Sequence, residues 1–506
     1  MMILYLPLDE RPCNLDYPQQ IAKLQPQIQL RVPPQFLLGR KKQAADISGL
    51  SAWLKEHGAG AQVAIASLEM LVYGGLLPSR LHHEPTETLL GRLHLLQELK
   101  ASHPRLKILA STLIMRTPRY SSSEEEPDYY EQWGEQIFTW GWLTDKSQRE
   151  GLTEVEQAQL SEINATLPSE YLADYRDRRA KNLQVNQAAI ALVQSGVIDF
   201  LAIPQDDCAR YGFTALDQQV IGQQIRRDRL QSRIHLYPGA DEVGCTLLAR
   251  AYGLLSGERR KVYVCYSAVG SEQIVPLYED RPIGESVKAH LLAVGAQQVS
   301  DPQVADFTLA VNTAGRVMQE AWDQETQDIT YSSYRNLNSF VAQLGDEMAN
   351  GCKVAIADVA FANGGETELI HLLDDAQLLD RLIAYGGWNT NCNTIGSVIA
   401  MGILGVNAAP VLLQHNLIAH LLEDWLYQAI VRQDVIRNYL PQINASYYDF
   451  QGQTDAIAQE IARRLLIVLQ TNIKSSFQDV AVDRLAVQFP WQRMFEVGIT
   501  FDLIAL

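Results

Sequence analysis

Short apolar runs closed by turn residues recur along the chain and alternate with longer amphipathic segments. The clearest runs occupy residues 3–7, 63–66, 106–111, 200–204, 234–237, 262–266, 307–311 and 354–357, with a weaker one at 28–32. A run that is apolar at every position is buried on both faces, which is how strands of parallel sheets read. The amphipathic segments between runs supply the crossovers that such sheets require. The pattern therefore predicts an α/β protein: two lobes built from repeated βα units, with mainly parallel sheets (Rossmann-like or partly TIM-like) and a helical C-terminal region.

At 506 residues the chain is longer than one typical domain. The polar, basic stretch Ser256-Gly257-Glu258-Arg259-Arg260-Lys261 marks a break, so the expected organisation is an N-terminal lobe over 1–256, a second lobe over 257–405 and a mainly helical region over 406–506. Apolar residues return at helical spacing through 411–439 and 454–471. Phe489-Pro490-Trp491 is expected to close the helical region, with 497–506 returning as a strand. One insertion, about 120–197, is rich in Glu, Gln, Tyr and Trp. Its opening Ser121-Ser122-Ser123-Glu124-Glu125-Glu126 predicts a helix start, because hydroxyls cap free amides and carboxylates suit the positive helix end. The insertion is expected to be a helical excursion over the strand ends, either a lid or a packing element.

Charge narrows the partners. A formal net charge of −17 argues against nucleic acid and against anionic membrane surfaces, both of which select clustered Lys and Arg. The N-terminal apolar run is short and meets Asp9, Glu10 and Arg11 at once, unlike a signal peptide. The six cysteines are scattered without metal-ligand spacing, as befits reduced thiols. The expectation is a cytoplasmic protein with a small-molecule partner, no cofactor demanded by any motif, and an oligomeric state that is open.

The polar motifs fall where the chain leaves a strand, and in parallel α/β folds those ends gather on one side. After the first strand, Asp9, Glu10, Arg11 and Asn14 are candidates to bind hydroxyls or a carboxylate, against a salt-bridged turn as the alternative. Tyr73-Gly74-Gly75-Leu76 with Ser79-Arg80 offers close backbone approach but no phosphate-loop pattern, which disfavours nucleotides. Tyr73 and Arg116 join the substrate-binding candidates, the arginine as a two-pronged donor or as a partner of a neighbouring acid. Gln205-Asp206-Asp207 places two carboxylates side by side after a buried strand, where mutual repulsion raises one pKa into the range of acid–base catalysis. Asp241 and Glu242 form a second pair at the next strand end. For these four acids catalysis, a divalent-metal site and helix capping all stay open. Further on, Gly387-Trp388-Asn389-Thr390-Asn391-Cys392-Asn393-Thr394 sets amides about one indole, as in sugar sites; Trp388, Asn389 and Asn393 are candidates for substrate contact, with core filling and helix capping as the alternative. No GxSxG or HExxH occurs, so serine-hydrolase and zinc-peptidase chemistry gain no support.

Taken together, DERPCN, YGGL with a following SR, MRT, PQDD, PGADE, YEDRP and GWNT resemble a bacterial family catalogued as domain of unknown function 4127. The resemblance covers essentially the whole chain and implies a single-polypeptide bacterial protein of this length; it carries over no activity and no catalytic residue. Separately, Asp206-Asp207 resembles the acid pair of glycosidases that use the substrate's own N-acetyl group as nucleophile. The leading expectation is a hydrolase acting on a carbohydrate or other polyhydroxyl small molecule, with Asp206, Asp207, Asp241 and Glu242 as its acids. A metal-assisted hydrolase or lyase, and a two-lobed binding protein without catalysis, are the alternatives.

Overall fold

A computed structural model describes residues 1–506, and the chain forms two compact units, each discontinuous in sequence. The first comprises Met1–Glu10, Gln29–Leu247 and Tyr278–Asp280; the second comprises Arg11–Ile28, Leu248–Leu277 and Arg281–Leu506.

The first unit is an open, wholly parallel sheet. Its strands are β1 (Met2–Leu6), β2 (Gln29–Arg31), β3 (Val63–Ser67), β4 (Lys107–Ser111), β5 (Phe200–Gln205) and β6 (Ile234–Pro238). They lie in the order β2-β1-β3-β4-β5-β6. β3 and β5 are buried at every position, and β1 at all but its first, because helices cover both faces of the sheet. The order reverses between β1 and β3, and such a switch point opens a crevice at the carboxyl ends of the strands.

The insertion is helical, as its composition predicts: Tyr130–Arg149, Glu154–Thr166 and Ser169–Gln194. A small aromatic core of Tyr130, Ile137, Leu143, Tyr175 and Phe213 joins its helices to the rest of the unit. Its start differs from the expectation. No helix begins at Ser121–Glu126; the first opens at Tyr130. The three acids serve as ion-pair partners instead of facing a helix end, with Glu124 taken by Lys41 and Glu125 and Glu126 by two arginines.

The second unit repeats the topology. Its strands are β7 (Lys261–Tyr266), β8 (Gln297–Val299), β9 (Phe307–Thr313), β10 (Gln319–Glu320), β11 (Val354–Val359), β12 (Phe361–Ala362) and β13 (Ala384–Gly386). β8, β7, β9, β11 and β13 form a parallel sheet in that order, again with the second strand outside the first. β10 and β12 make a separate two-stranded ladder. The helix Pro410–His420 packs on β13, and the helices Arg432–Asn438 and Thr454–Asn472 follow with a closing hairpin of β14 (Val480–Gln488) and β15 (Gly498–Ala505), Thr454–Asn472 lying against β14. One continuous apolar core runs from Ala310 and Ile356 through Leu417, Trp425, Ile461 and Leu465 to Phe489 and Phe501, so the C-terminal region belongs to the second unit's core. The expected strand at 497–506 is present; its partner β14 was not expected, because Asp483 and Arg484 interrupt its alternation at an irregularity in the ladder. No helix is long and apolar enough to cross a membrane.

Candidate functional site

Strand register brings the first unit's acids and arginines together. β4 continues past its last sheet residue to a bridge between Ile114 and Gln205. Two residues beyond each partner lie Arg116 and Asp207, and their side chains meet: Arg116 Nη1 donates to Asp207 Oδ2 at 3.1 Å. Arg80 arrives from the loop after β3. There Gly74 adopts a left-handed φ of 89°, and a side chain at that position would press on the backbone of Ala45. The turn so made starts the short helix Leu76–Leu81, from which Arg80 donates to Asp206 at 2.6 Å. Both guanidinium groups also bind Glu125 Oε2, at 2.9 and 2.8 Å, and Arg116 Nε reaches Glu126 Oε1 at 2.9 Å. Four carboxylates thus share two nearly buried arginines.

The long helix Ser169–Gln194 braces this cluster from one face. Tyr175, Arg178, Arg179, Asn182 and Asn186 recur at three- and four-residue spacing and so line one stripe. Tyr175 and Arg179 donate to the carbonyl of Arg116 at 3.0 Å each; Asn182 donates to Ser79 O at 2.8 Å, and Asn186 to Thr112 Oγ1 at 2.7 Å. The stripe is polar because it holds loop backbone rather than core. That makes the insertion a clamp on the two loops that carry Arg80 and Arg116.

Electrostatically the acids differ. Asp207 sits at a left-handed φ of 38°, and its side chain keeps a quarter of its surface exposed. Burial pushes its pKa up to about 6; Arg116 pulls against that rise and Asp206 adds to it. Burial likewise raises Glu126, opposed by Arg80 and Arg116. Glu69, just past β3, is buried with no arginine on it; burial lifts its pKa to about 7 although Leu113 N donates to it at 2.7 Å and Ser67 and Thr112 donate their hydroxyls. Glu69, Tyr73, Arg80, Asn186 and Asp206 enclose a space of about 10 Å³, room for about one water molecule. A larger cavity of about 340 Å³ opens farther along the β5 loop. Ala209 and Arg210, the second and third residues after Asp207, line it with Arg149, Gln218, Gln219 and Asp280.

In the second unit the strand ends carry a different cluster. Asn312 from β9 donates to both Asp358 and Glu366 at 2.8 Å, Tyr385 from β13 donates to Asp358 at 3.0 Å, and Arg335 forms a two-pronged pair with Glu366. Burial, then the nearby Glu366, lifts Asp358 to about 7.

The family model described as "Protein of unknown function (DUF4127)" matches residues 3–500. The chain belongs to this family. No curated protein matches it.

In this DUF4127 member the predicted site residues divide between the two units. Asp9, Glu10, Tyr73, Arg116, Asp206, Asp207, Asp241 and Glu242 lie in the first; Arg11, Asn14, Trp388, Asn389 and Asn393 lie in the second. Of the first set, Asp206, Asp207 and Arg116 share the ionic cluster, and Tyr73 lines the small space with Asp206. Tyr73 is buried, its ring tilted against that of His82 with centroids 4.9 Å apart. Glu10 Oε1 accepts from Lys41 N at 2.6 Å, and Asp9 is buried at the end of β1. Glu242 accepts from Ala240 N at 2.8 Å inside its own turn, packed so closely on Gly239 that a side chain there would collide with its carboxyl. Asp241 is buried beside it. Of the second set, Arg11 lies over the Trp491 ring at 4.4 Å and close to Glu496, and Asn14 is buried in the helix Pro12–Lys23. Trp388 is buried against Tyr17 and Phe495. Asn389 and Asn393 shape the turn between β13 and the helix Asn391–Gly405: Asn389 Oδ1 accepts from Thr390 N and Asn393 donates to Thr390 Oγ1. No group of three or more His, Cys, Asp or Glu side chains is disposed to hold a metal ion.

Arg80, Glu125 and Glu126 complete the first unit's ionic cluster, Glu69 adjoins it across the small space, and all four stood outside the predicted set. The signal for Arg80 was present in the paired glycines that precede it. Glu125 and Glu126 were hidden because an acid run after serines reads locally as a helix start.

Proposed function

We propose that this protein is a cytoplasmic hydrolase acting on a carbohydrate or related polyhydroxyl small molecule, at a glycosidic bond, by acid–base chemistry at Asp206 and Asp207. One observation carries this reading: two adjacent carboxylates at one strand end occupy unlike environments. Asp206 is pinned by Arg80 at 2.6 Å, whereas Asp207 is partly exposed with its pKa raised to about 6. Adjacent acids in different surroundings can divide the work, one exchanging a proton with the scissile oxygen and the other opposing the positive charge of an oxocarbenium-like transition state. Asp207 takes the proton-transfer role and Asp206 the charge-stabilising one, with Arg80 and Arg116 fixing their orientation. The 340 Å³ cavity that begins two residues past Asp207 has the size of a small-ligand site, and its guanidinium and amide lining suits hydroxyl-rich ligands.

The test is hydrolysis of a panel of aryl glycosides by the wild type and by Asp206→Asn and Asp207→Asn, each checked for native circular dichroism. Both variants are expected to lose turnover by at least about a hundredfold, the lower end of what a positioned acid or base contributes. A step that uses protonated Asp207 weakens as pH rises through about 6. Undiminished activity in both variants overturns the assignment. Recovery of a bound sugar unchanged, with both acids intact, makes the protein a binder instead.

A further inference from the structure

The second unit buries a cation that has no counter-ion. Arg432 begins the helix Arg432–Asn438 and is 1% exposed, yet its Nε and Nη2 have no hydrogen-bond partner and it forms no salt bridge. Its contacts are with aromatic rings: the guanidinium carbon lies 5.8 Å from the Trp322 ring centre and 5.5 Å from that of Phe495. Ring faces attract a cation but do not accept its in-plane N–H bonds, so the protein supplies those donors with no acceptor. The Nε–Nη2 edge of a guanidinium presents two parallel donors, the geometry that matches two oxygens of a carboxylate or phosphate.

Two further orphaned polar groups converge on Phe495. Gln428, one helical turn before Arg432, donates its amide to Phe495 O at 2.8 Å, and its buried Oε1 has no partner. Trp388, whose ring lies 6.1 Å from that of Phe495, has a buried Nε1 without a partner. The other guanidinium beside Phe495, that of Arg493, is taken by Glu496 at 2.6 and 2.9 Å. Trp322, the ring beside Arg432, is 40% exposed and lines a surface cavity of about 550 Å³ together with Ala429 and Gln433, the neighbours in sequence of Gln428 and Arg432.

We propose that the second unit binds a small ligand through an oxyanion seated on Arg432 Nε and Nη2, with Gln428 Oε1 accepting from a ligand hydroxyl or N–H. The proposal rests on the second unit alone and stands or falls separately from the acid–base reading of Asp206 and Asp207.

The test follows thermal unfolding and titration calorimetry of the full chain with inorganic phosphate, glucuronate, glucose and chloride at matched ionic strength. Phosphate, glucuronate or both should raise Tm beyond the chloride control, while glucose, which lacks the oxyanion, should not. Response to glucuronate alone identifies a carboxylate ligand, and response to phosphate alone a phosphoryl one. Arg432→Lys keeps the charge but loses the fork and should weaken binding at least about tenfold; Arg432→Met should abolish it. No shift beyond chloride, or an equal shift in both variants, overturns the proposal. If neither variant folds, tryptophan fluorescence of the wild type reports instead. A probe-induced change that Trp322→Phe or Trp388→Phe removes supports the site; no change, or one that both variants leave intact, overturns it.

Discussion

Glu69→Gln isolates the cost of one buried charge. The Glu69 carboxyl is held by Leu113 N at 2.7 Å and by the Ser67 and Thr112 hydroxyls, without an arginine, and its pKa stands at about 7 against an ordinary 4.5. Gln is nearly isosteric: its Oε1 keeps the bonds from Leu113 and Thr112, and its amide meets the Ser67 hydroxyl, which rotates to accept. A folded-state pKa raised above the unfolded value means that the native state binds the proton more tightly. The wild type therefore loses stability as pH rises from about 4.5 to about 7 and is flat beyond. At about 1.4 kcal/mol per pH unit, that rise corresponds to on the order of 3 kcal/mol. Glutamine does not titrate. Urea unfolding between about pH 5 and about pH 8 should show the variant gaining on the wild type as pH rises, approaching 3 kcal/mol at the alkaline end. A difference constant across that range, or a less stable variant at about pH 8, refutes the reasoning.

Arg116→Met removes three ion pairs at once and leaves Glu126 and Asp207 without a cation they now contact; urea unfolding near neutral pH should show a loss of about 3–5 kcal/mol. Arg116 holds the Asp207 pKa down, so that loss should shrink as pH falls towards about 6, because Asp207 takes up its proton at higher pH in the variant than in the wild type. Gly365→Ala should cost about 1–3 kcal/mol, because a Cβ there would overlap the Tyr385 hydroxyl and stand 3.1 Å from Asp358 Oδ2. In a Tyr385→Phe background the same change should cost less, and equal costs in both backgrounds would show that the clash is elsewhere.

Much of the architecture was legible because strands of a parallel sheet are apolar at every position, a property of a few consecutive residues. Ile3 to Leu6, Val63 to Ala66 and Val354 to Ala357 announce themselves in this way. β8 and β13 did not, because three residues at a sheet edge bury too little apolar surface to leave a pattern. The site was legible in part. PQDD and MRT stand out in the sequence as polar residues at strand ends, and Arg116 pairs with Asp207, the neighbouring-acid alternative for that arginine. Glu125 and Glu126 were misread, since their neighbours in sequence favour a helix cap while their partners in space are guanidinium groups.

Parallel α/β units with a helical excursion can be read from short stretches of residues, because burial periodicity is local. What the acids touch depends on the folded chain. Arg80 and Asp206 are 126 residues apart, and Arg116 and Asp207 are 91 apart. Their pairing, and the burial that lifts Asp207, depend on strand order and register, which no short window of residues encodes.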